Sequence, residues 1–282
     1  RAAAGQKAFR RNLALKFNVT TGFLGFSLVA LLLSGCQSTP PRSSTIDMED
    51  NTGGYSQTNR QTGAGEVYVQ LAIAYMNKGQ LDVALSKARQ ALAVEPGNTT
   101  GHNVIALLYD RLGEKGLAEH HFQKGLALSP RNSYLLNAYG TFLCAQKRFD
   151  DANQQFTKAL ANPLYKTPEV ALTNAGICAR RIPDMAQAES YLRQALERNP
   201  RFAAALGQMA QISLQNGEHL SSRGYLQRYL EVSKHTAGTL WTGIQTERVL
   251  GDRDAVASYS LLLKNAFPDS RETQLLIESE KK

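Results

Sequence analysis

Residues 133–156 read SYLLNAYGTFLCAQKRFDDANQQF, and this stretch decides the fold. Gly140 is followed twelve residues later by Ala152 and, one helical turn on, by Phe156. That order suits two short helices joined by a tight turn. Small residues let the helices approach closely, and the aromatic ring fills the space beside them.

The same order recurs on both sides. The small residue returns as Ala72, Ala106, Gly176 and Ala210, with Ile244 as an exception. The early residue of the second helix returns as Ala84, Ala118, Ala188 and Ser222, with Val256 as an exception. Phe122, Leu192 and Leu226 take the large position, whereas Ala88 and Ser260 do not. Pro96, Pro130, Pro200 and Pro268 are separated by 34, 70 and 68 residues, and the surplus pair fits a loop inserted at 162–166. Gly79, Gly113, Gly217 and Gly251 stand where the chain turns between helices, a place that often needs positive φ. A period of 34 residues is that of the tetratricopeptide unit. The expected fold is therefore an all-α right-handed tetratricopeptide superhelix of about six repeats, at 65–98, 99–132, 133–168, 169–202, 203–236 and 237–270. The last two read as degenerate, as is usual at the end of a solenoid. Residues 271–282 read as a C-terminal capping helix, with Asp269 and Glu272 at capping-box spacing.

Ahead of the repeats lies a different kind of sequence. Residues 1–35 hold Arg1, Lys7, Arg10, Arg11 and Lys16 and no acid, so most of the formal charge of +8 belongs to this segment. Phe23 to Leu33 is apolar, too short for a membrane-spanning helix but suited to the core of a signal peptide. Leu33, Ser34, Gly35 and Cys36 match a lipobox, in which two small residues precede the cysteine that is lipidated and becomes the mature N-terminus. Residues 36–64, the lipidated cysteine and a polar stretch without hydrophobic period, read as a flexible tether.

The sequence excludes several functions. No dense Lys/Arg stripe remains in the repeats, so nucleic acid binding is not expected. His120-His121 is not HExxH, no carboxylate completes a zinc site, and there is no P-loop or GxSxG. No catalytic residue, metal site or cofactor is expected, and the chain reads as a monomeric binding protein rather than an enzyme. The candidate partner-binding groove is lined by the first helix of each pair: Val69, Ile73, Met76 and Asn77 in the first repeat, Asn103 and Asp110 in the second, and Tyr134 and Asn137 in the third. Leu107, Thr141, Ile177, Gln211 and Trp241 take comparable places. Arg180-Arg181 could meet a carboxylate, although a lone basic pair reads first as a solvated face. Cys144 and Cys178 stand two residues apart in register, so their Cβ vectors should diverge. Two buried thiols are the first expectation, and an oxidising compartment leaves a disulfide open.

Two segments resemble one family. NAYGTFLCAQKRFDDA (137–152) contains Asn137-Ala138-Tyr139-Gly140-Thr141-Phe142-Leu143. LGDRDAVASYSLLLKNAFPDS (250–270) joins Asp252-Arg253-Asp254 to Ala257-Ser258-Tyr259, which a generic repeat does not need. Together with the lipobox they are similar to the type IV pilus biogenesis and stability lipoproteins, the PilF/PilW family. The resemblance implies a pilotin that binds secretin subunits and helps them reach and assemble in the outer membrane. By resemblance to enterobacterial lipoproteins, in which Asp after the cysteine retains the protein at the inner membrane, Gln37 after Cys36 implies outer-membrane sorting. The alternative is a periplasm-facing scaffold for cell-wall enzymes or outer-membrane β-barrel assembly.

Overall fold

In the computed structural model, residues 63–182 and 185–281 are described. Among them thirteen helices follow one another and no strand is present. Six pairs form: α1 (Ala64–Asn77) with α2 (Leu81–Val94), α3 (Thr99–Arg111) with α4 (Lys115–Leu128), α5 (Ser133–Ala145) with α6 (Phe149–Leu160), α7 (Pro168–Ala179) with α8 (Met185–Arg198), α9 (Ala203–Gln215) with α10 (His219–Leu230), and α11 (Ala237–Leu250) with α12 (Arg253–Ala266). The unpaired α13 (Arg271–Glu280) comes last.

Local chemistry sets the helix ends. Asn98 and Asn132 cap α3 and α5 by accepting hydrogen bonds from the Gly101 and Leu135 amides at 2.7 and 3.1 Å. Thr236 and Thr239 form a reciprocal capping box on α11. The cap of α13 differs from the expected Asp269–Glu272 pairing. Ser270 takes that role, accepting from the Thr273 amide at 3.2 Å. Inside five of the six pairs the chain reverses through a left-handed residue: Gly79, Gly113, Gly217 or Gly251 in four pairs, and Lys147 with φ 62° in the third.

The small-to-large rule is visible as direct contact. A Cβ on Gly140 would lie 2.8 Å from the Phe156 ring, and one on Gly176 would lie 2.8 Å from Leu192. In the sixth pair the same relation joins Gly243 to Tyr259 at 2.9 Å. Gly243, Ala255 and Tyr259 are thus the equivalents there, one residue before the positions of Ile244, Val256 and Ser260. The sixth repeat keeps its small-to-large contact, with one residue fewer between Ala210 and Gly243 than the 34-residue period supplies.

The helices form two layers. The first helices of successive pairs touch in order, α1 to α3 and on to α11, and α11 then meets α13. The second helices pack on their own partner and the following first helix, and their backbones stand apart from one another, although Tyr191 of α8 donates to Asn153 Oδ1 of α6 at 2.8 Å. A stack that is continuous on one side and splayed on the other must curve, with the first helices on the inside. Its core is a chain of clusters between repeats. Phe122, Tyr139, Phe142 and Phe156 fill one of them, and full burial of such a side chain contributes about 1.5–3 kcal/mol. At the end Leu276 of α13 is fully buried with Leu240, Ile244 and Leu263, so α13 covers an apolar face that no seventh pair occupies.

Candidate functional site

The inner face of the first-helix layer is the candidate site. The residues expected to line it fall into two groups. Val69 and Met76 are 0% and 1% exposed, packed with Val104, Ile105 and Leu108 of the second repeat. Asn103 and Asn137 are 1% and 2% exposed. These four do not line a free surface. The apolar stripe counted along α1 is real, but stacking of the next first helix consumes half of it. The Asn137 Oδ1 accepts from the Asn174 Nδ2 at 3.0 Å, a polar link between α5 and α7. Neither amide atom of Asn103 has a partner among the described residues.

The second group remains accessible. Ile73 is half-buried and Asn77 exposed. Asp110 is half-buried and accepts from Lys115 Nζ. Tyr134 meets Tyr165 edge-on at 5.1 Å. With Asn162 and the exposed Leu164, these two rings line an open concavity of about 670 Å³. The inserted loop at 162–166 therefore builds a surface feature at the edge of the stack. Trp241 is half-buried beneath Arg248, whose guanidinium lies 5.9 Å from the ring.

Cys144 and Cys178 form a disulfide, with Cα atoms 5.8 Å apart. This corrects the expectation of two thiols. Identical positions in stacked repeats point the same way and cannot face each other. A shift of two residues turns a side chain by about 200°. That offset aims Cys144 forward and Cys178 back, so the register difference makes the bond possible.

Arg180 also departs from a solvated face. It caps the C-terminus of α7 and reaches across to α9. Its Nη1 donates to Gln208 Oε1 and to Gln211 Oε1, the latter at 2.8 Å, and its Nη2 to Gln215 Oε1 at 3.5 Å. Burial lowers its pKa from the ordinary arginine value. Gln208 and Gln215 were not singled out from sequence, although the spacing 208, 211, 215 places all three on one face of α9.

The segment 250–270 has a structural task. Asp252 caps α12 by accepting from the Ala255 amide at 3.0 Å, and its carboxylate lies 3.7 Å from Arg223. Arg223 of α10 makes a two-pronged contact with the buried Glu247 of α11. This ties the fifth pair to the sixth. No group of three or more His, Cys, Asp or Glu among the described residues could hold a metal ion. No helix among them is long and apolar enough to cross a membrane. Leu33, Ser34, Gly35 and Cys36 lie outside the described residues.

Paired helices, small residues beneath large ones, and an open inner layer of first helices define a tetratricopeptide-repeat protein. The tetratricopeptide repeat family model matches residues 69–133 and 179–235. Over 211 residues the chain is 31% identical to the type IV pilus assembly protein PilF of Pseudomonas aeruginosa, covering 75% of this chain and 84% of that protein. It belongs to the PilF family. A solved structure from the functional characterisation of Pseudomonas aeruginosa PilF is 30% identical with a TM-score of 0.68, covering 77% of this chain and 97% of that one. The crystal structure of PilW, described as a widely conserved type IV pilus biogenesis factor, gives the same identity and TM-score over 77% and 99%. The Cut9–Hcn1 structure, at 15% identity, a TM-score of 0.65, and 82% and 44% coverage, shares the fold alone.

Proposed function

We propose that this chain is a pilotin, a lipid-anchored adaptor of type IV pilus biogenesis that binds secretin subunits and promotes their assembly in the outer membrane. The observation that carries this reading is the kinship to PilF across most of both chains. A lipobox ending in Cys36 and an inner layer of first helices support it. In this reading residues 1–35 are removed as a signal peptide and Cys36 carries acyl chains, each buried CH₂ contributing about 0.8 kcal/mol to anchoring. The stretch after Cys36, up to residue 62 and outside the described residues, acts in this reading as a tether that holds a monomeric superhelix off the periplasmic face. The partner lies along the inner layer, where Ile73, Asn77, Asp110 and Tyr134 are accessible.

The test is a deletion strain and a Cys36→Ser strain, scored for secretin multimers in outer-membrane fractions and for surface pili. Deletion is expected to leave secretin monomers and no pili. The Cys36→Ser protein is expected to leave the secretin mislocalised. Normal multimers in the deletion strain would overturn the reading.

A further inference from the structure

Arg180 is half-buried at the C-terminal end of α7. Its hydrogen-bond partners are the neutral carbonyl oxygens of Gln208, Gln211 and Gln215. Its Nε is buried and has no partner. Burial lowers its pKa, and among the described residues no carboxylate is paired with it. An arginine stays charged in a protein, so the site keeps an uncompensated positive charge at a cost in solvation. Each glutamine that offers its Oε1 to Arg180 retains two N–H donors on its Nε2. The cluster is therefore rich in donors.

Two more arginines stand near the C-terminal ends of α7 and α11. Arg181, next in the chain, donates to the Cys144 carbonyl at 3.4 Å. Arg248 of α11 donates to Ser279 Oγ at 3.0 Å and covers Trp241. None of these three arginines forms an ion pair among the described residues, whereas Arg148, Arg193 and Arg223 all do. The acids on the first helices α7, α9 and α11 are Glu169 and Glu247. Glu169 sits in the first turn of α7, roughly 16 Å along the axis from Arg180. Glu247 is buried and held by Arg223. Among the described residues, the first helices of the fourth to sixth pairs thus offer positive charge and amide donors without an acid paired to them.

We infer that Arg180, set among Gln208, Gln211 and Gln215, is a receptor for an acidic side chain, aspartate or glutamate, of a bound protein segment. The arriving carboxylate accepts charge-assisted hydrogen bonds from the guanidinium, and the glutamine N–H groups are available to its remaining lone pairs and to the segment's backbone carbonyls. The charge that is partly desolvated without a counter-ion among the described residues gains one in the complex. This site rests on the pilotin reading for its partner, the secretin, and adds where on the superhelix that partner is held and by which chemistry.

The experiment measures binding of purified secretin subunits to the full-length lipidated protein in detergent, at 50 and 300 mM salt. The wild type is compared with Arg180→Gln, Arg180→Lys and Arg180→Glu, and with Arg193→Gln as a control outside the site. Thermal unfolding of each variant establishes that it is folded. The expected result is at least tenfold weaker binding for Arg180→Gln with a shallower salt dependence, intermediate binding for Arg180→Lys, and no change for Arg193→Gln. Arg180→Glu is then paired with secretin variants in which each periplasmic Asp or Glu is changed to Arg. One of them is expected to restore binding, which a C-terminal carboxylate could not do. Wild-type binding with Arg180→Gln within twofold of it overturns the site alone. Loss of binding that no reversed secretin acid recovers overturns the assignment to an acidic side chain. Failure of the wild type to bind secretin overturns the pilotin reading and this site with it.

Discussion

Cys144 near the end of α5 and Cys178 near the end of α7 are joined by a disulfide that ties the third repeat to the fourth, with Cα atoms 5.8 Å apart and a sequence separation of 34. Closing a loop of that length removes conformational entropy from the unfolded chain worth about 3–4 kcal/mol in the chain-entropy model. Replacing both cysteines by serine is expected to lower unfolding stability by about 2–4 kcal/mol in urea titrations. The wild-type protein in reductant should move toward the same midpoint. A variant with an unchanged midpoint would show that the cross-link adds no stability.

Gly140 leaves no room for a side chain, because a Cβ would lie 2.8 Å from the Phe156 ring in the closest part of the third pair. Gly140→Val is expected to destabilise by about 1–3 kcal/mol through overpacking. Gly224 on α10 has nothing within 4 Å of the same atom. Gly224→Ala should instead stabilise by about 0.5–1 kcal/mol, since alanine loses less entropy in a helix. Denaturant unfolding of the two variants against wild type checks the opposite signs.

Arg223 and Glu247 predict an asymmetry. Glu247 is 3% exposed, and Arg223 meets both of its carboxylate oxygens. Arg223→Ala strands a buried negative charge, whereas Glu247→Gln leaves a neutral amide that can still accept a hydrogen bond. Arg223→Ala is therefore expected to lower the thermal midpoint more than Glu247→Gln does. Equal shifts would mean that the carboxylate is solvated in the variant.

His121 and His102 face each other with Nδ1 atoms 3.1 Å apart. Burial, followed by the nearby His102, His120, Lys124 and Arg89, holds the pKa of His121 down at about 4. Burial also lowers His102. In the unfolded chain both titrate near 6.5, so between about pH 6.5 and 4 the unfolded state binds more protons. Stability from keeping His121 neutral is present above pH 6.5 and is lost as the pH falls toward 4. His121→Asn should flatten this part of the stability profile, measured by urea midpoints at pH 7, 5.5 and 4.5. An identical slope in both proteins would refute the assignment.

The repeat was legible because its signal is local. Gly140 beneath Phe156 is a relation within one helix pair, fixed by two spacings along the chain. The turn glycines report backbone conformation that needs no distant partner. Even the inserted loop at 162–166 announced itself through the proline spacing. The site was harder to read, because a first helix has two sides that stack on neighbours and one that does not. Val69 and Ile73 look alike in sequence, yet the first is buried by α3 and the second is partly free.

By itself the sequence determined the all-α repeat, its period and the helix pairs, since small and large residues recur at distances that only close helix packing explains. Tertiary structure alone decided which residues face one another between repeats. It joined Cys144 to Cys178, moved the sixth pair's close contact to Gly243 and Tyr259, and brought Arg180 onto the glutamines of α9. The physical reason is that facing across a stack depends on the rotation between successive helices and on single-residue changes in loop length. A period of 34 averages over both.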